Sequence, residues 1–189
     1  MAIRWYVAYA LSYRNIEELM LERGVSVDHS TVNRWVIRYS PELETEFRKN
    51  HKKKTGSSWR MNETYVRVKG QWCYLYRAVD KSGETIDFML SKKRDKKAAK
   101  AFFDKAIGSC GMPEKVTIDK SGSNLSALNE INKSKLENEK IEIRQIKYLN
   151  NIVEQDHRFI KKITRPTLGF KSFESADETI RGRVASYAT

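Results

Sequence analysis

Between Trp59 and Ser91 the apolar residues stop recurring every three or four positions and begin to alternate, and this change of period is what most constrains the fold. Three strands are predicted: Trp59 to Lys69, Trp72 to Asp80 and Glu84 to Ser91, joined by turns at Lys69-Gly70 and Lys81-Ser82-Gly83. They make an antiparallel meander. The next segment sets Ala98, Ala99, Phe102, Phe103, Ala106 and Ile107 on one stripe, which predicts a helix lying on that meander until Gly108 and Gly111 end it. A short strand, Lys115 to Ile118, follows, with Asp119 at its end, then a helix around Leu125 to Ile131 and a strand from Ile141 to Ile146. A last helix carries Leu149, Ile152, Val153, Phe159, Ile160 and Ile163 on its buried side until Pro166. This order predicts an α/β (α+β) domain, a mixed five-stranded sheet flanked by helices.

The first forty residues keep the helical period. Ser12 is placed to cap a helix with Ile16, Leu19 and Met20 on its stripe, ending at Arg23-Gly24. A second helix has Val32, Trp35, Val36 and Tyr39 as core positions, and Pro41 is expected to stop it. Ser30, Thr31, Asn33, Arg34 and Arg38 are left for its other face. Hydroxyl, amide and guanidinium groups there suit a helix-turn-helix that reads the major groove, and the same pattern suits an ordinary helical hairpin. The expected organisation is a helix-turn-helix segment over residues 1–41, a basic polar linker over 42–58 and a catalytic domain over 59–189.

Charge narrows the choice of partner. Lys and Arg total 36 against 24 acids, a net charge of +12, which favours a polyanion. No apolar run approaches the ~20 residues a bilayer span needs, and no signal-peptide pattern follows Met1, so a cytoplasmic protein with no membrane partner is expected. Two cysteines without a CxxC pair, and three histidines, argue against a structural zinc site.

Asp119 closes a strand, and Glu154 lies on the final predicted helix, away from its apolar stripe and beside Arg158 and Lys161. With 34 residues between them, the two acids suit a pair gathered to hold divalent cations against a polyphosphate. Each also has a plainer use. Glu154 and Arg158 are a favourable i, i+4 pair, and Asp119 is placed to cap the helix after Lys120-Ser121-Gly122.

Several long words point to one family. Leu11-Ser12-Tyr13-Arg14, Glu63-Thr64-Tyr65, the run from Tyr74 to Asp80, Thr117-Ile118-Asp119-Lys120, Glu154-Gln155-Asp156-His157 and Gly169-Phe170-Lys171-Ser172 occur in the order found in bacterial insertion-sequence transposases of the D-D-E type. The chain resembles the insertion-sequence-six family over nearly its whole length. That resemblance implies an RNase H-like catalytic domain, end cleavage and 3′-OH strand transfer dependent on Mg²⁺ (or Mn²⁺), and two ions in an intact site. It also implies double-stranded DNA partners, both terminal repeats and target, and a homo-oligomer on DNA. Asp119 and Glu154 match the second and third acids and would ligate the metal, and Lys120 matches the basic residue that follows the second.

Asn62 stands where the family has its first Asp. An amide offers one uncharged acceptor oxygen, so it cannot bridge two cations as a carboxylate does. Glu63 is not expected to substitute, because strand neighbours face opposite sides. The chain begins inside the family's helical region and stops before its usual last helix, so a shortened copy is expected. Two functions follow: a transposase impaired at Asn62, or a catalytically dead DNA-binding or subunit-pairing remnant that regulates transposition.

Overall fold

A computed structural model describes residues 1–9, 11–50, 56–146 and 170–187. The predicted helix from Leu149 to Ile163 lies outside these residues, and with it Glu154, Arg158 and Lys161. The chain divides into two compact units, one mainly helical and one built on the sheet.

The helical unit begins with α1 (Ala2–Ala8), α2 (Tyr13–Leu21) and α3 (His29–Asn50). Ser12 starts α2 through a reciprocal box: its hydroxyl accepts the Asn15 N–H at 3.1 Å, and the Asn15 side chain accepts the Ser12 N–H at 2.9 Å. At the start of α3, Asp28 accepts the Ser30 N–H at 2.7 Å and Glu17 accepts the His29 N–H at 3.1 Å. Two carboxylates thus satisfy donors at the positive end of the helix. Val32 and Val36 are fully buried with Tyr6 and Ile16, as the helical period predicts.

Pro41 does not stop α3. The helix runs through it to Asn50, so residues 42–50 of the expected linker are helical. Proline removes one backbone donor and disfavours a helix interior. Here α3 is packed along α6 (Phe173–Tyr187) as well as α1 and α2, and such tertiary packing overrides local propensity. The α6 helix accordingly belongs to the helical unit. A buried hydrogen bond of 3.3 Å joins the Tyr6 hydroxyl to Thr179 Oγ1, and Tyr6 stacks on Tyr13 with centroids 4.4 Å apart. Phe170 donates its N–H to the Arg67 carbonyl at 3.0 Å and accepts from the Lys69 N–H at 2.7 Å, which ties the hairpin tip into this unit.

The second unit contains the sheet. Its strands are β1 (Ser58–Val68), β2 (Gln71–Val79), β3 (Thr85–Ser91), β4 (Lys115–Ile118) and β5 (Glu142–Gln145), ordered β3-β2-β1-β4-β5. β2 and β3 pair antiparallel, whereas β4 pairs parallel with both β1 and β5. This is the mixed, helix-flanked α/β sheet that was expected. The β1–β2 turn places Lys69 at φ 48° and Gly70 at φ 77°, the left-handed pair of a two-residue hairpin, and glycine takes the second position without steric cost. At the β2–β3 turn, buried Asp80 accepts from the Ser82 and Glu84 N–H groups at 2.8 and 3.0 Å.

α4 (Lys96–Cys110) and α5 (Gly122–Lys133) cover one face of the sheet. Trp59 and Met61 of β1, Val116 and Ile118 of β4, and Phe102, Phe103 and Ala106 of α4 meet in one core, each at most 1% exposed. A polar clasp reinforces the contact of α4 with β3. The Lys105 ammonium donates to Asp87 Oδ1 at 3.0 Å and to the Phe88 carbonyl at 2.7 Å, and the Ser109 hydroxyl donates to Asp87 Oδ2 at 3.2 Å. The Asp87 side chain is only 1% exposed, so losing its cation is costly. We expect Lys105→Met to destabilise the protein by about 3 kcal/mol in urea unfolding, and Lys105→Arg, which keeps a cation there, to recover at least half of that loss.

Candidate active site

β1 and β4 run parallel, with Ser58 opposite Lys115, Trp59 opposite Val116 and Arg60 opposite Thr117. Continued two residues further, this register sets position 62 opposite position 119. Trp59 and Val116 both enter the core beneath α4 and α5, so the alternate positions that include Asn62 belong to the other face. The topology therefore brings Asn62 and Asp119 to one level on neighbouring strands.

Asp119 is 38% exposed at the side chain and divided between two partners. Oδ1 accepts the Ser121 N–H at 3.0 Å, fastening the turn into α5, and Oδ2 lies 3.9 Å from Nη2 of Arg94. The plainer use of Asp119 is thus real. It helps to start α5 and still presents an accessible oxygen. The Asn62 amide is also engaged, since its Oδ1 accepts the Glu63 N–H at 2.8 Å.

Arg94, which no sequence motif singles out, completes this corner. Its Nε pairs with Glu63 Oε2, Nη1 donates to the Tyr65 hydroxyl at 3.2 Å, and Nη2 faces Asp119. Burial works against its charge, but the Glu63 carboxylate, Tyr65 and Asp119 outweigh that penalty and hold the guanidinium above its ordinary pKa. The Glu63 side chain is only 5% exposed. Glu63 is therefore committed to Arg94, a more specific reason than strand alternation for it not to replace the missing acid. No sequence signal at a separation of 31 residues marks this pair. Burial also raises the nearby Tyr76 hydroxyl well above its usual range, with Glu63 and Asp95 adding to the effect.

The donor set tests what cation could be held here. A hard carboxylate oxygen at the carboxyl end of a parallel strand suits one divalent ion at Asp119. It does not suit a bridged pair among the described residues. Asn62 supplies no charge, and the Arg94 guanidinium already stands beside Asp119. Lys120 is exposed next to Asp119. In the helical unit Ser30, Arg34 and Arg38 are exposed at four-residue intervals on one face of α3, while Thr31 and Asn33 are half-buried. Arg34 donates to the Thr31 hydroxyl at 2.9 Å.

Residues 56–187 match the model of a DDE domain of the IS240 transposase type. The chain belongs to the insertion-sequence-six family of DDE transposases. Over 187 residues it is 43% identical to the Staphylococcus aureus transposase for the insertion sequence-like element IS431mec, covering 99% of this chain and 81% of that one. It has the same identity and coverage with the transposase for IS257 in transposon Tn4003, also from Staphylococcus aureus. A looser likeness is to the HTLV-2 integrase catalytic core domain in complex with magnesium, with TM-score 0.49, 19% identity, and 60% of this chain and 73% of that one covered. Among the described residues no helix is long and apolar enough to cross a membrane.

In this family member the Glu63–Arg94 pair has a measurable worth. Removing the guanidinium leaves a buried carboxylate uncompensated, so Arg94→Met should cost about 3 kcal/mol in chemical unfolding. The double substitution Glu63→Met with Arg94→Met should cost less than the single one, because no buried charge then remains.

Proposed function

We propose that this chain acts on DNA as an insertion-sequence transposase whose strand-cleaving site is weakened at Asn62. The observation that carries the reading is the parallel β1–β4 register, which supports Asn62 and Asp119 as two corners of one site. Family membership supports the third corner at Glu154. Asp119 and Glu154 would hold the divalent ion, Mg²⁺ or Mn²⁺. When bound, it neutralises charge on the scissile phosphodiester and favours a deprotonated nucleophile. Around it, Lys120, Arg158 and Lys161 would bind DNA phosphates. Arg94 would position Asp119 by holding one of its oxygens.

Asn62 supports a second reading, in which the chain binds element ends or pairs with active subunits without cutting DNA. Its side-chain carbonyl oxygen already accepts the Glu63 N–H, which leaves a single lone pair for any ion. The two readings separate in one assay with Mg²⁺ or Mn²⁺ and DNA bearing the element end. We expect Asn62→Asp to raise cleavage by more than about 100-fold, since even outer partners of metal ligands are worth about 10–100-fold. If the altered protein binds the end and still leaves it uncut, the impaired-transposase reading fails and the binding role stands.

End recognition falls to α3. Ser30, Thr31, Asn33, Arg34 and Arg38 would face the terminal repeat, in a homo-oligomer that brings two ends together. Arg34→Ala is expected to weaken end binding by about 1–3 kcal/mol in a mobility-shift titration if Arg34 reads a base edge. For six to ten phosphate contacts, affinity should fall by about 10³–10⁵ between 50 and 200 mM salt.

A further inference from the structure

One apolar side chain stands on the outward face of α3, among neighbours that are polar. Ile37 is 37% exposed. The core side of this helix is set by Val32 and Val36, both fully buried, with Trp35 packed against the same cluster. At about 100° per residue, Ile37 points roughly 150° away from the mean direction of those three. Ser30, Arg34 and Arg38 are exposed on the same side, with Arg34 nearly one turn before Ile37 and Arg38 directly after it. Arg34 donates to the Thr31 hydroxyl at 2.9 Å, and the Arg38 guanidinium lies over the Tyr39 ring at 5.4 Å. The first contact takes one of the five N–H donors a guanidinium carries, and the second takes none. Both cations are thus oriented beside Ile37 with donors to spare.

We propose that Ile37 reads the 5-methyl group of a thymine in the major groove of the element end. This rests on the reading of α3 as the helix that meets the terminal repeat, and it names what one side chain recognises there. Isolated apolar residues are common on protein surfaces and need no ligand. The surroundings of Ile37 set it apart. A branched side chain forms helix less readily than alanine or a straight-chain residue, and packing is what offsets that cost. Among the described residues, the apolar cluster of this unit does not include Ile37. A duplex that meets Arg34 and Arg38 covers Ile37 as well. The major groove admits an α-helix, and the thymine methyl is the apolar recognition point on its base edges, where the others are donors or acceptors. Arginine contacts to phosphates position the helix without carrying sequence information. A methyl buried against Ile37 supplies some, because it favours thymine over cytosine at one base pair.

The test uses the full chain and anisotropy titrations of three labelled duplexes: one carrying the terminal repeat, the same duplex with deoxyuridine in place of every thymine, and one of shuffled sequence. Deoxyuridine keeps the pairing edge and lacks only the methyl. Its use should weaken binding of the unaltered chain by at least about fourfold, the worth of one buried methyl. Ile37→Ala should lose about fourfold on the thymine duplex and less than about twofold on the deoxyuridine duplex, because the two changes delete one contact. Ile37→Val, which keeps a branched apolar side chain, should hold most of the affinity. Thymines replaced singly should confine the loss to one base pair or two adjacent ones. An unchanged melting temperature in both variants shows that the fold is retained. Equal losses by Ile37→Ala on the two duplexes, or none on either, would overturn the methyl contact. So would an unaltered chain indifferent to deoxyuridine, whatever the variants do. In each of those cases a preference for the repeat over the shuffled duplex leaves end recognition standing. If the unaltered chain shows no such preference, end recognition by α3 falls as well.

Discussion

Parallel pairing of β1 with β4 is the contact on which the rest of the sheet unit depends. These strands are separated in sequence by a hairpin and a helix, so nothing local brings them together. What does is the shared burial of Trp59, Met61, Val116 and Ile118 beneath α4 and α5. A slip of one residue would turn those side chains away from the core, so the register is tightly specified. The same constraint sets the level of Asn62 against that of Asp119. Packing on one face thereby determines the chemistry available on the other.

Charge at that corner is mixed. Beside the neutral amide of Asn62, a guanidinium shared by Glu63, Tyr65 and Asp119 supplies positive charge from the protein itself. The arrangement lowers repulsion among acids and makes the corner a stable structural feature. It also links Asp119 to Tyr65, since Arg94 donates a hydrogen bond to the one and stands as a loose ion pair beside the other.

Much of this was legible in the sequence because it is periodic. The alternation from Trp59 to Ser91, the left-handed turn at Lys69-Gly70 and the stripe of α4 are all local patterns, and each became the expected element within a few residues. The start of α2 was legible for the same reason, as Ser12 acts within one turn. The failures are non-local. Pro41 argues for a helix end by its own chemistry, and the packing of α3 along α6, α1 and α2 that overrides it is announced by nothing nearby in sequence. The Glu63–Arg94 pair joins residues whose proximity no spacing rule encodes. Of the candidate site, the Asp119 corner and its relation to Asn62 follow from strand order and register, whereas Glu154 lies outside the described residues.

The hydrogen bond between Tyr6 and Thr179 spans 173 positions, and it bears on how the helical unit closes. α3 packs along α6, and the sheet unit lies between them in sequence, so the helical unit is not assembled from one continuous stretch of chain. Local helix formation alone is a weak source of stability, and distant contacts are entropically slow to close. The joining of these remote helices is therefore the costly loop closure of this fold.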